Sequence, residues 1–220
     1  MNKRFAFTLA EVLVTLGIIG VVSAMTIPSL TQSWQKQAYV TQLKKTYSLI
    51  TQAAALAIQE EGVTNLDESK YTGSEGAKNF FKKYFKIVND CGTSNTPCLA
   101  SKYRHIDGSQ ASLGGFSTIT VFTIADGAAI RVFSALSSGF GDSSYTSTDQ
   151  HGYLSLIIDI NGAKGPNVAG RDLFYAVLFS DGKLAESYAH DFSSECPSSD
   201  QNYGFGCLTR IMNNGWVMDY

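Results

Sequence analysis

Four groups of residues in this chain have types and spacings that could do chemistry. The longest runs Asp159-Ile160-Asn161-Gly162-Ala163-Lys164-Gly165-Pro166-Asn167-Val168-Ala169-Gly170-Arg171-Asp172. Asp159, Asn161, Asn167 and Asp172 offer hard oxygens of the kind calcium takes. No glutamate closes the run, and Lys164 and Arg171 interrupt it. The spacing is therefore not that of an EF-hand, and the reading is a rigid structural turn, with calcium as the alternative. The second group is the cysteines, Cys91, Cys98, Cys196 and Cys207. None forms Cys-x-x-Cys and no histidine neighbours the first pair, which argues against zinc. Two disulfides fit better: of three possible connectivities the simplest joins Cys91 to Cys98 and Cys196 to Cys207, with four reduced buried thiols as the alternative. The third group is His105, His151 and His190, scattered with no metal-binding spacing. Asp149-x-His151 among serines invites a hydrolase reading, but no Gly-x-Ser-x-Gly elbow accompanies it. No catalytic set emerges, and the chain is read as a non-enzyme. The fourth is a single carboxylate, Glu11, set in the apolar run Phe7 to Ile27.

That run is the element on which the rest depends. It has twenty-one residues, long enough to cross a hydrocarbon core of roughly 30 Å at about 1.5 Å per residue. A carboxylate there costs a few kcal/mol unless it finds a partner, so it is a functional hypothesis by default. Lys3 and Arg4 precede the run. A secretory signal would have a shorter apolar region and a small-residue cleavage site beyond it, which Ser23-Ala24-Met25 mimics. A plain signal anchor would hold the basic residues inside and the domain outside. Neither needs Glu11.

Beyond Pro28 the pattern changes. Pro28 removes a helical hydrogen bond, predicting a kink or local opening between Gly20 and Pro28. From Leu30 to Glu61 the chain is free of proline and glycine. Val40, Leu43, Tyr47, Ile50, Ala54 and Ala57 recur at helical steps, and Gly62 supplies a C-cap. Helix Thr8–Glu60 would be about 80 Å long. A second helix is expected from Ser74, as N-cap, to Asn89, with Ala77, Phe80, Phe81, Tyr84, Phe85 and Val88 on its core face. Lys102 to Gly115 is read as polar surface.

From Ser117 the code turns to strands: Ser117–Ile124, Ala128–Ser134, Tyr153–Ile160, Phe174–Phe179 and Leu184–Tyr188. Asp126-Gly127 and Asp181-Gly182 are expected as two-residue hairpin turns, and Gly139 to Gln150 as a glycine- and serine-rich excursion. A short helix from Cys207, capped by Asn214-Gly215, and a terminal strand from Trp216 to Tyr220 complete the chain. The fold class is α+β: a long N-terminal helix packed on an antiparallel sheet of four or five strands. With 220 residues, 44% hydrophobic and 16% charged, the chain can bury one core beyond its leader. A net charge of -2 supplies no basic field for nucleic acid.

Lys3-Arg4-Phe5-Ala6, then Phe7-Thr8-Leu9-Ala10-Glu11 and the apolar run, resemble the signal of type IV prepilins and type II secretion pseudopilins. The resemblance covers about the first thirty residues. It implies cleavage by a prepilin peptidase between Ala6 and Phe7, with N-methylation of the new Phe7 amine. Ala6 stands where the family usually has glycine; Gly20 and Pro28 fall where members carry helix-loosening residues. The domains implied are a leader (1–6), a transmembrane polymerisation helix (7–28) and a pilin-like domain (29–220) that includes the amphipathic half-helix (29–61). The implied protein is a pilin, minor pilin or pseudopilin, a single-pass protein of the bacterial inner membrane with its domain in the periplasm. Its partners would be an inner-membrane assembly platform and the other subunits of a filament, in which Glu11 pairs with a neighbour's Phe7 ammonium. Glu11 argues against a filament-capping subunit, since those tend to lack it. In the family, Cys196–Cys207 would bound a surface-exposed C-terminal region, and some pseudopilins hold structural calcium near their sheet. A membrane-anchored or pilus-borne binding module is the competing reading.

Overall fold

The computed structural model describes residues 8–114, 117–135, 152–186, 196 and 204–220. By internal contacts the chain divides into two units, Met1–Ala38 and Tyr39–Tyr220. Helix α1, Leu9–Glu61, begins in the first and ends in the second.

In the first unit α1 buries almost nothing: Leu9 is 80% exposed and Trp34 65%. The helix continues unbroken through Gly20 and Pro28, where the sequence predicts an opening. One missing N–H is a small loss within a long hydrogen-bonded run. Around it the hydroxyls of Thr26, Ser29 and Thr31 bond back to the carbonyls of Val22, Thr26 and Ile27.

In the second unit the same helix has one buried stripe, Val40, Leu43, Thr46, Ile50, Ala53, Ala54 and Ala57, with Tyr47 packed beside it. This matches the predicted periodicity, with Thr46 and Ala53 added. Fully burying Leu43 and Ile50 stabilises the packing by about 1.5–3 kcal/mol each. Gly62, at φ +66°, ends the helix. Its amide reaches the Gln59 carbonyl and that of Val63 reaches Ile58, a Schellman closure.

Helix α2, Gly73–Tyr84, is shorter than predicted, and its N-cap position is Thr72 rather than Ser74. Phe80 and Phe81 are fully buried. Val88, assigned by the sequence to the same face, is 66% exposed, because Ile87–Gly92 forms strand β1 instead. Pairing with a long neighbouring strand overrides helical periodicity at Ile87-Val88, both β-branched.

A short hairpin, β2 (Tyr103–Arg104) and β3 (Gln110–Ala111), lies in the stretch predicted to be surface. Strands β4 (Thr118–Ile124), β5 (Ala129–Ala135), β6 (Gly152–Asp159), β7 (Leu173–Phe179) and β8 (Leu184–Ala185) follow. They form a six-stranded sheet ordered β1-β4-β5-β6-β7-β8, antiparallel at every pairing. The architecture is α+β and pilin-like, with six strands in the described main sheet where the sequence predicts four or five, and the β2–β3 hairpin besides. The two turns enclose three residues, not two. Ile124 donates to Ala128 and Gly127 donates back to Ile124, while Phe179, Lys183 and Gly182 repeat the pattern. Gly127 and Gly182 take φ +95° and +84°, the left-handed position of a three-residue loop.

Both sheet faces are covered. Ile130, Val132, Leu156, Ile158, Phe174 and Ala176 join the core shared with α1 and α2. On the other face Ala129, Phe133, Ile157 and Leu173 pack with Tyr103, Leu99 and Ala169. Helix α3, Cys207–Asn213, buries Leu208 and Ile211 in the helical-side core. Residues Trp216 to Tyr220 form no strand: Gly215 and Trp216 both take left-handed φ, and the Trp216 amide closes the helix on Ile211. Pairing would need extended backbone there.

Candidate functional site

The loop between β6 and β7 is built around two fully buried carboxyls. Asp159 Oδ2 accepts from Tyr103 Oη at 2.5 Å and Oδ1 accepts from the Asn161 amide at 3.2 Å. Asp172 accepts from the amides of Asn167 and Val168 at 2.7 and 2.6 Å. Burial pushes Asp159 up to about 8 against the pull of the Tyr103 bond. It raises Asp172 as well, with the two amides opposing. The Asn161 and Asn167 Oδ1 atoms are buried without a donor among the described residues. Asp159, Asn161, Asn167 and Asp172 all belong to this loop, and both carboxyls are engaged by protein donors. Among the described residues, no three His, Cys, Asp or Glu side chains gather as a metal set.

Both disulfides form between sequence neighbours, Cys91–Cys98 and Cys196–Cys207. The second anchors a C-terminal segment that seats on the loop. A Cβ on Gly170 would stand 2.5 Å from Cys207 Sγ, and one on Gly204 would stand 2.4 Å from the Gly170 nitrogen. Tyr220 Oη donates to the Gly170 carbonyl at 2.6 Å. Glu186, 4% exposed, accepts from the amides of Gly206 and Thr209 at 2.9 and 2.8 Å. Burial raises it to about 7, with the Thr209 amide opposing. His105 is buried in the β2–β3 turn, where its backbone bonds Ser109 and Gly108. His151, His190 and the Gly139–Gln150 excursion lie outside the described residues, as do Ala6 and Phe7.

At the start of α1, Thr8 and Glu11 form a reciprocal cap. The Thr8 amide and Oγ1 both donate to Glu11 Oε2 at 2.9 Å, and the Glu11 amide donates to Thr8 Oγ1 at 3.3 Å. This is a capping box, in which two orphan amides of the first turn are satisfied by side chains. Beyond it α1 is long and apolar enough to cross a membrane, and its most apolar window has no buried residue. Residues 1–27 match the family described as the prokaryotic N-terminal methylation motif. The chain carries a type IV prepilin-like signal. No curated protein and no solved structure matches the chain at a significant level.

The prepilin-like signal is a structural motif rather than an enzymatic one, and it implies peptidase processing, pilin assembly and membrane anchoring. Thr8 is the partner of Glu11; the Thr-x-x-Glu spacing is the sequence signal for it. Thr15 does bond back, to Val12. Tyr103 and Glu186 were invisible to sequence patterns, because each is defined by a partner far along the chain.

Proposed function

We propose that this chain is a pilin, minor pilin or pseudopilin of a type IV pilus or type II secretion pseudopilus. A prepilin peptidase cuts it between Ala6 and Phe7, the Phe7 amine is methylated, and the subunit waits in the inner membrane with its domain outside. An assembly platform then packs helix α1 against those of neighbouring subunits. One observation carries this reading: the prepilin-like signal runs directly into a helix whose apolar stretch is exposed and holds a single carboxylate, Glu11, in its first turn. Exposed apolar area on this scale calls for lipid or like helices around it. In such surroundings an ammonium and a carboxylate attract far more strongly than in water, and what survives desolvation sets subunit register. In the outer domain the loop 159–172 acts as a structural strut.

N-terminal mass spectrometry of the membrane-bound protein tests the processing step. The expected mature chain starts at N-methylated Phe7; an intact Met1, or a cut after Ala24, refutes the reading. Glu11→Ala tests assembly. The expected outcome is a folded, cleaved subunit that fails to enter filaments.

A further inference from the structure

Filament assembly leaves a cavity in the second unit without a task. It holds about 370 Å³ and is lined by residues of the Cys91–Cys98 loop, of the β2–β3 hairpin and of the segments beside them. That volume lies within the range of small-molecule sites. Tyr103 and Ala111, register partners in the hairpin, are its buried part. The walls are pinned by bonds to their surroundings. Tyr103 Oη donates to Asp159 and accepts from the Ala100 amide. The Leu99 amide closes the turn at Asn95 at 2.7 Å, and the Arg131 guanidinium holds the Leu113 carbonyl. A cavity held in this way is formed before a ligand arrives, so little freedom is lost on binding.

The lining is one-sided in charge. Lys102 brings an ammonium and no carboxylate joins it there; among the described residues it has no ion-pair partner. Around it Thr96, Ser101, Gln110 and Ser112 add exposed hydroxyls and an amide. Asn95 Oδ1, in the same wall, is buried with no donor among the described residues. Neutral donors and acceptors in this number suit a ligand with several hydroxyls, and a single ammonium suits a single negative charge. An aliphatic acid would leave most of these groups unused, and a phosphate would bring more charge than one lysine meets. We propose that the cavity binds an acidic sugar, a hexuronate either free or at the end of a polysaccharide, with Lys102 meeting the carboxylate and the neutral side chains the ring hydroxyls. The inference does not rest on the assembly function proposed above.

The test titrates the full chain in detergent with glucuronate and with glucose, followed by ligand-observed NMR. Glucuronate is expected to bind with a Kd of about 1 mM. Glucose should bind at least about tenfold more weakly, because the charge-assisted bond is lost. Lys102→Met keeps the stem and removes the charge, and should weaken glucuronate about tenfold. Gln110→Ala should weaken it about threefold, the loss of a neutral bond. Lys164→Met, outside the cavity, should leave it at the parental value. All three positions are exposed, and an unfolding midpoint equal to the parent's verifies that each variant is folded. A uronate oligosaccharide that displaces glucuronate supports the site with a polysaccharide end as its source; one that does not supports it with the free sugar. No glucuronate binding below about 10 mM overturns the proposal. So does glucose binding as tightly as glucuronate, or parental affinity in Lys102→Met.

Discussion

Replacing Gly170 by alanine tests whether the C-terminal segment is seated on the β6–β7 loop as tightly as its geometry states. Two costs add. Gly170 has φ +84°, where an L-residue pays about 1–2 kcal/mol. The new methyl would also stand 2.5 Å from Cys207 Sγ and 3.4 Å from Ile106 Cδ1. That sulfur is no flexible tip, since it is bonded to Cys196 and rooted in α3. Forcing a methyl into such a site costs about 1–3 kcal/mol. A total of about 2–5 kcal/mol lowers Tm by about 5–15 °C in a domain of this size. Gly215→Ala is the control, because Gly215 has φ +65° with nothing within 4 Å of the added carbon. It carries the backbone cost alone, about 1–2 kcal/mol. The assay is thermal unfolding of the full chain in detergent, followed by circular dichroism with disulfides intact. A Gly170→Ala midpoint no lower than that of Gly215→Ala refutes the close approach and the docking built on it.

Tyr103→Phe strips Asp159 of its hydroxyl donor and the Ala100 amide of its acceptor. Denaturant unfolding should show a loss of about 2–3 kcal/mol, as expected for buried polar groups left unpaired. The buried acids set a pH dependence: Asp159 and Glu186 titrate near 8 and 7 in the folded state and near 4 when unfolded. Because the folded state holds these protons more tightly, their contribution is fully present below about pH 4 and is lost as pH rises through about 7 to 8. Tm measured from pH 5 to pH 8 should therefore fall, and Glu186→Gln should flatten the slope. Phe80→Ala empties a site ringed by Tyr71, Phe81 and Tyr84, and chemical unfolding should register a loss of about 3–5 kcal/mol. Replacing Cys91 and Cys98 by serine opens a loop of sequence separation 7; the same assay should lose about 2 kcal/mol.

Features encoded by local patterning were legible in the sequence. The α1 stripe from Val40 to Ala57 shows a period, the strands are runs of β-branched and aromatic residues, Gly62 caps a helix, and each cysteine pairs with its nearest neighbour. Features decided at a distance were not. Ile87-Val88 continues a helical pattern yet joins a sheet because Thr123 and Ile124 lie alongside. The stretch around Tyr103 is polar in composition, but its tyrosine is drawn inside by an aspartate 56 residues away. Trp216-Val217 has strand-like composition and is turned aside by a helix closure that only backbone bonds reveal. At the candidate site Glu11 stood out because a carboxylate in an apolar run is conspicuous. Thr8 did not, because its only sequence signal is the Thr-x-x-Glu spacing of a capping box, which the apolar run around it obscures.

In the six-stranded sheet every strand lies beside its predecessor in the main ladder, and each disulfide joins consecutive cysteines. A ribosome delivers the chain in that same order. Each strand therefore emerges next to an edge already waiting for it, and each cysteine meets its partner before any other thiol arrives. Sheet growth needs no rearrangement of what is already built, and oxidation has no wrong pair on offer at the moment it happens.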